Sequence, residues 1–360
     1  MSDTVDRVRA ALATVQDPDL HRDLVALGMI RDLVVDGGTA RFRLVLTTAA
    51  CPVKKELEAQ CRAVVAAVPG IAAVEVTMDA EVPKGLDKGD VLPGVRHLIG
   101  VGSGKGGVGK STVAANLACA LARSGARVGL MDADIYGPSV PTMMGVNEPP
   151  LVEDKKLIPP LAHGVKLMSM GFMIGARQAV IWRGPMLQGA LRQFLSDVAW
   201  GELDYLFIDL PPGTGDVQIS LAQGAPMAGA VVVSTPQAVA LADVRRSVAM
   251  FEKVNVPIFG IVENMSTYIC PKCGHEDDIF GHGGAEQEAI ETKVPFLGRI
   301  PIEPAVREAG DAGVPVVLSH PASRSAQAFV ALAERVAAQV SMAAWAKTGT
   351  PTASPTGAAT

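Results

Sequence analysis

The strongest constraint in this sequence is one short loop. Gly104-Lys105-Gly106-Gly107-Val108-Gly109-Lys110-Ser111 fits the pattern G-x-x-x-x-G-K-[ST]. It follows the apolar stretch Leu98–Val101 and opens a helical stretch over 110–124. Strand, glycine-rich loop and helix in that order let backbone N–H groups converge on phosphate oxygens, with the positive end of the helix dipole behind them. ATP with Mg2+ is the expected ligand. Lys110 is expected on the β- and γ-phosphates and the Ser111 hydroxyl on Mg2+, with Thr112 counted among the nucleotide-binding residues.

The surrounding chain agrees with that loop. Arg127–Met131, Tyr205–Ile208, Ala230–Ser234 and Ile258–Val262 are short apolar runs separated by helical stretches such as 185–199. Apolar strands alternating with helices predict an α/β domain over 98–346, its mostly parallel sheet covered by helices on both faces. Ahead of it, residues 1–80 read as a small α+β domain. It comprises a helix over 4–15, strands Met29–Val35 and Thr39–Thr47 around an Asp36-Gly37-Gly38 turn, a helix from Pro52 to Val68, and a strand Ala72–Met78. Residues 81–97 read as a linker rich in Pro, Gly and charge, and 347–360 as a disordered low-complexity tail.

Composition removes several function classes. No apolar run reaches the ~18 residues of a membrane span, so no stable membrane association is expected. The net charge of −5 argues against nucleic acid as the main partner. The acidic, amphipathic start of the chain does not read as a secretory signal. Five cysteines in 360 residues do not make a disulfide scaffold, and they point to a reducing, cytoplasmic setting.

Two acidic segments follow strands on the loop's side of the sheet. Asp132 and Asp134 sit in Met131-Asp132-Ala133-Asp134, where Asp134 is placed to orient the attacking water and Asp132 either supports the metal shell or caps the next segment. Asp209 ends another strand ahead of Leu210-Pro211-Pro212-Gly213, the arrangement of a carboxylate bound to Mg2+ next to a segment that responds to the γ-phosphate. Lys105 is a second lysine in the loop. It either faces solvent or reaches phosphates bound by a partner subunit.

Cys270-Pro271-Lys272-Cys273 holds two thiols three positions apart, which can grip one metal but supply only half a shell. Three readings stay open. His275 and His282 complete a zinc site, the pair is a thiol switch, or two subunits join their pairs around a [4Fe–4S] cluster. Cys51 precedes Pro52, and a helix starting there with Lys54 and Lys55 would favour its thiolate and a cluster-handling role. Cys61 and Cys119 lie in apolar helical stretches and read as core. The Met-rich run Leu167–Met173 also reads as core, with a contact surface as the alternative.

Lys105-Gly106-Gly107-Val108-Gly109-Lys110-Ser111 resembles the deviant Walker A signature of the MinD, ParA and nitrogenase iron protein class. With MDADIYGPS, IDLPPGTGD and ENMSTYICPKCGH in this order, residues 96–345 resemble the Mrp/ApbC-type iron–sulfur cluster carrier ATPases. Residues 1–80, with Cys51-Pro52, are similar to the SufT-related assembly domain. The resemblance implies a homodimer in which Lys105 contacts the partner's nucleotide. It places Asn264 on the adenine and Pro301 near the base. It puts a labile [4Fe–4S] cluster on Cys270 and Cys273 at the dimer interface. ATP hydrolysis would be coupled to transfer of that cluster to apo iron–sulfur proteins, alongside cluster assembly factors. A MinD/ParA-like switch ATPase with a structural zinc knuckle is the alternative.

Overall fold

The structure is a computed structural model that describes residues 2–83, 92–135, 137–172 and 184–348. The chain divides into two compact units. One is Met1–Pro83 together with the chain from Ala337 onward, and the other is Lys84–Val336.

In the first unit, strands Ile30–Asp36 and Thr39–Leu46 form an antiparallel hairpin. Gly37 and Gly38 join them, both with positive φ (55° and 81°), the turn whose twist matches that of the flanking strands. Strand Ala73–Ala80 pairs parallel to Thr39–Leu46 and completes a three-stranded sheet. The alternation expected in the middle strand is present, with Phe42, Leu44 and Leu46 buried. Helices Ser2–Leu12 and Lys54–Ala66 supply Val8, Leu12, Leu57, Cys61 and Val65 to that core. Full burial of a leucine such as Leu12 or Leu44 contributes about 2 kcal/mol. The end of the last helix belongs to this unit as well. Trp345 packs on its core, and the Arg22 guanidinium lies 5.9 Å from the Trp345 ring centre.

The second unit is built on a nine-stranded, mostly parallel sheet. Its strands run in the order Leu161–Ala162, Val165–Ser169, Val128–Asp132, Leu203–Asp209, Val95–Gly102, Gly229–Ser234, Ile258–Ile269. Phe296–Ile302 and the short Glu276–Asp277 both pair with Ile258–Ile269. The central strand is therefore the one that enters the glycine loop, with Leu203–Asp209 and Gly229–Ser234 hydrogen-bonded on its two sides. Near-continuous burial along Leu203–Asp209 and Gly229–Ser234 is what helices on both faces require. Helices Lys110–Arg123, Gly184–Asp197, Asp216–Gly224 and Ala238–Lys253 provide that cover.

Boundaries differ from the sequence-based expectation in four places. The central strand begins at Val95, so the last residues assigned to the 81–97 linker are sheet. Strand Ile258–Ile269 continues seven residues past Val262. The helix expected from Pro52 starts at Lys54. The final helix, Arg324–Thr348, includes Lys347 and Thr348; the rest of the expected tail lies outside the described residues, as does Met173. Val165–Ser169 is a core strand beside Val128–Asp132, with Met168 and Met170 buried, so the described part of the Met-rich run is core rather than contact surface. Among the described residues, no helix is long and apolar enough to cross a membrane.

Candidate functional site: a phosphate loop and a cysteine hairpin

The glycine loop lies between strand Val95–Gly102 and helix Lys110–Arg123, as its pattern demands. Gly109 occupies the N-cap with φ 79°. Behind the loop sits a buried polar cluster. The Lys110 Nζ donates to Asp209 Oδ1 at 2.6 Å and lies 3.7 Å from Asp134 Oδ2. The Ser111 hydroxyl donates to the other Asp209 oxygen at 2.5 Å. Asp209 is fully buried and Lys110 is 6% exposed. Burial pushes the Asp209 carboxyl above its ordinary range, and the Lys110 charge with the Lys110 and Ser111 hydrogen bonds opposes it. A serine hydroxyl and a carboxylate are hard oxygen donors, so this set suits Mg2+. The outer side of the loop is open: no described atom lies within 4 Å of where a Cβ on Gly107 would stand.

The two acidic segments are tied to each other and to the loop. Ala133 N–H donates to the Asp209 carbonyl at 2.9 Å. Gly213 N–H donates to the Ser103 carbonyl at 3.0 Å, which docks the Pro-Pro-Gly segment on the entrance of the loop. Asp132 takes the structural one of its two expected roles. Its carboxylate accepts from the Asp134 and Val140 N–H groups, at 3.0 and 3.3 Å, and from the Ser169 hydroxyl at 3.1 Å. Burial, then the Asp209 charge, pushes its pKa up to about 7. Asp134 accepts from Gly137 N–H at 3.3 Å while facing Lys110. Lys105 is half-buried and makes no ion pair among the described residues; its carbonyl accepts from the Ser103 hydroxyl.

The cysteine pair lies at the end of strand Ile258–Ile269. Cys270 N–H donates to the His275 carbonyl at 2.9 Å, Gly274 N–H donates to the Cys270 carbonyl at 2.8 Å, and Glu276–Asp277 pairs back on Tyr268 and Ile269. The result is a tight hairpin with Cys270 half-buried and Cys273 exposed. Backbone N–H groups of Lys272 and Cys273, then the Cys273 thiol, lower the Cys270 pKa. Hydrogen bonds aimed at sulfur favour the thiolate, the form that ligates metals. None of the five cysteines is in a disulfide, and no group of three or more His, Cys, Asp or Glu placed to hold a metal occurs among the described residues. His282 instead lies beside Asp278, at 3.6 Å.

Residues 94–337 match the family model described as NUBPL iron-transfer P-loop NTPase. The chain belongs to that family. Residues 5–78 match a second model, described as iron-sulfur cluster assembly protein. A Synechocystis protein named iron-sulfur cluster carrier protein is 51% identical over 352 residues, covering 95% of this chain and 99% of its own. Among solved structures, a nucleotide-binding protein of Archaeoglobus fulgidus in complex with ADP is 42% identical with a TM-score of 0.56, covering 62% of this chain and 90% of its own. The cell division ATPase MinD of Pyrococcus furiosus is 26% identical with a TM-score of 0.52, covering 67% of this chain and 98% of its own.

Within this iron-transfer P-loop NTPase, several residues do more than their motif announces. Gly104 is required by packing, since a Cβ there would stand 2.4 Å from the Asp243 carbonyl oxygen. A Cβ on Gly106 would stand 4.0 Å from the Pro212 Cβ, and Val108 is buried behind the loop. The Asn264 amide donates to the Val108 carbonyl at 2.8 Å, and a Cβ on Gly109 would stand 2.2 Å from that nitrogen. Asn264 therefore contacts the phosphate loop itself. Thr112 lies beside the Met143 sulfur, and the Pro301 carbonyl accepts from the Ser325 hydroxyl at 3.1 Å. Cys51 lies two positions before the Val53 N-cap, which removes the helix-end geometry expected for it, and it packs half-buried on the core of its own unit. Ser169 and Met265 were not legible as site residues: the first ends an apolar run, and the second is an apolar side chain with no chemistry to mark it.

Proposed function

We propose that this chain is an ATP-dependent cytoplasmic carrier that binds a [4Fe–4S] cluster between two subunits and transfers it to apo iron–sulfur proteins, hydrolysing ATP. The observation that carries this reading is continuity. One strand, Ile258–Ile269, bears the Asn264 amide on the phosphate loop and ends next to Cys270. A family whose model is described by iron transfer, and relatives named as carriers, support the nature of the cargo.

In this reading Lys110 binds the β- and γ-phosphate oxygens and leaves its present partner Asp209. Ser111 and Asp209 would hold Mg2+, which would neutralise part of the phosphate charge. Asp134 orients the attacking water. Lys105 crosses to the partner's phosphates. Gly104, Gly106, Gly107, Val108 and Gly109 form the cradle, Thr112 lies at its edge, and Asn264 and Pro301 lie on the base side. Two subunits contribute Cys270 and Cys273 each, which completes a four-thiolate shell that one chain lacks. The docked Asp209–Gly213 segment is the part that responds to loss of the γ-phosphate.

The test is anaerobic reconstitution with iron and sulfide, followed by metal analysis of the sized protein beside Cys270→Ala/Cys273→Ala. The reading predicts about four iron and four sulfide per dimer, lost in the double variant. Tightly held zinc with no iron uptake would contradict it and would favour a switch ATPase with a zinc knuckle.

A further inference from the structure

Strand Ile258–Ile269 is not regular between its two functional ends. Against strand Phe296–Ile302, Asn264 lies opposite Ile300 and the next pair is Tyr268 opposite Ile302. The pairing thus advances four residues on one strand and two on the other. Inside this bulge Met265 has φ 55°, a left-handed conformation that a methionine backbone rarely adopts. Bulges re-aim strands and cluster beside functional sites.

Both ends of the bulge are anchored, each to a different centre. On the near side Glu263 is fully buried, accepts from Gly283 and Ala285 N–H at 3.2 and 2.8 Å, and faces Arg299. That clamp fixes the strand up to Asn264. Asn264 then holds the Val108 carbonyl, and the Met265 methyl carbon lies 3.6 Å from where a Cβ on Gly109 would stand. In a trans peptide the carbonyl and the following N–H point in opposite directions. Holding the Val108 carbonyl therefore also sets the direction of the Gly109 N–H in the phosphate loop. On the far side, Ser266 donates to the Ile300 carbonyl at 3.2 Å and Thr267 to Asp278 at 2.8 Å, within the cysteine hairpin.

We infer that this bulge relays the state of the phosphate loop to the cysteine pair, with Asn264 and Met265 as positioning residues for Cys270 and Cys273. A rotation of the Val108–Gly109 peptide on phosphate binding pulls on Asn264. Glu263 blocks that displacement from travelling backward, so it passes through the left-handed Met265 into the hairpin. The role of the cysteines rests on the proposed carrier reading; the relay itself does not need a cluster.

The test is hydrogen exchange on the full-length metal-free protein, with and without Mg2+ and a non-hydrolysable ATP analogue. In the wild-type protein, exchange over 266–277 should change by about threefold or more on nucleotide binding. Met265→Gly relaxes the backbone and removes the loop contact. At saturating analogue, with occupancy measured separately, it should lose the response over 266–277. Met265→Asn, which tolerates a left-handed backbone, should retain that response. Asn264→Ala should lose it. A Met265→Gly protein that responds like the wild type would overturn the relay, and so would a wild type with no response over 266–277. If the response is as predicted but reconstitution yields no iron, the relay stands and the carrier reading falls.

Discussion

The phosphate loop and the cysteine hairpin sit on one sheet and are built in opposite ways. Around the loop, charges are buried and already paired: Lys110, Asp209, Ser111 and Asp134 form one hydrogen-bonded and ionic cluster. Around the cysteines every residue from Pro271 to His282 is exposed, and the Cys270 thiol takes hydrogen bonds from Lys272 and Cys273 of its own hairpin. The contrast extends to the thiols themselves. Burial pushes Cys119 up to about 12 and Cys61 up to about 11, whereas backbone N–H groups lower Cys270. The same side chain is inert filler in the core and a ready ligand at the end of the strand. The polar cluster behind the phosphate loop is paired within the chain, whereas the cysteine pair offers two thiols, half of a four-thiolate shell.

The largest expected effect breaks the complete side. Lys110→Ala removes the cation from a fully buried Asp209 and should lower ATPase activity at least ~100-fold, read as phosphate release, because one lost charge contact at a transferring phosphoryl group costs that much. A smaller effect separates the two kinds of thiol. Cys119→Ser buries a hydroxyl in an apolar place and should cost about 1–3 kcal/mol in denaturant unfolding while leaving iron uptake intact. Cys270→Ser should do the reverse, abolishing iron uptake with stability within about 0.5 kcal/mol of the wild type.

Next comes pH. The folded protein holds the Asp132 proton up to about 7, whereas the carboxyl ordinarily releases it at 3.8. The native state therefore binds more protons between those values, and the Asp132 contribution is full below 3.8 and lost as pH rises through about 7. Thermal unfolding of the metal-free protein should show this decline, and Asp132→Asn should flatten it. The smallest effect is Thr267→Val, which removes a hydroxyl bond to Asp278. It should weaken the hairpin by about 0.5–1 kcal/mol, seen as faster local hydrogen exchange and no change in global unfolding.

The fold was legible wherever the pattern is local. The glycine loop between an apolar strand and a helix, the Gly37-Gly38 turn and the alternation of Phe42, Leu44 and Leu46 each need only neighbours in sequence. Val165–Ser169 was missed as a strand because Lys166 and Ser169 interrupt the continuous apolar run by which its neighbours are recognised. Strand Ile258–Ile269 was expected to stop at Val262 because Glu263 and Asn264 are polar. In the fold both are buried, Glu263 on backbone N–H groups and Asn264 on the loop carbonyl. The same holds for the site. Lys110, Ser111 and Asp209 are readable from motif positions, but their direct contact across the sheet is tertiary. So is the packing of Gly104 on Asp243, which no spacing rule anticipates. Cys51 shows the opposite error, where a short local signal placed a helix end two residues early.

The most direct test of the account joins the two regions in one number: the rate at which a reconstituted dimer releases its cluster to an apo-ferredoxin-type acceptor, measured with Mg2+-ATP, with Mg2+ alone, and in Asn264→Ala. The account predicts faster transfer with Mg2+-ATP in the wild type and no nucleotide effect in Asn264→Ala. Equal rates in the wild type with and without ATP would contradict it.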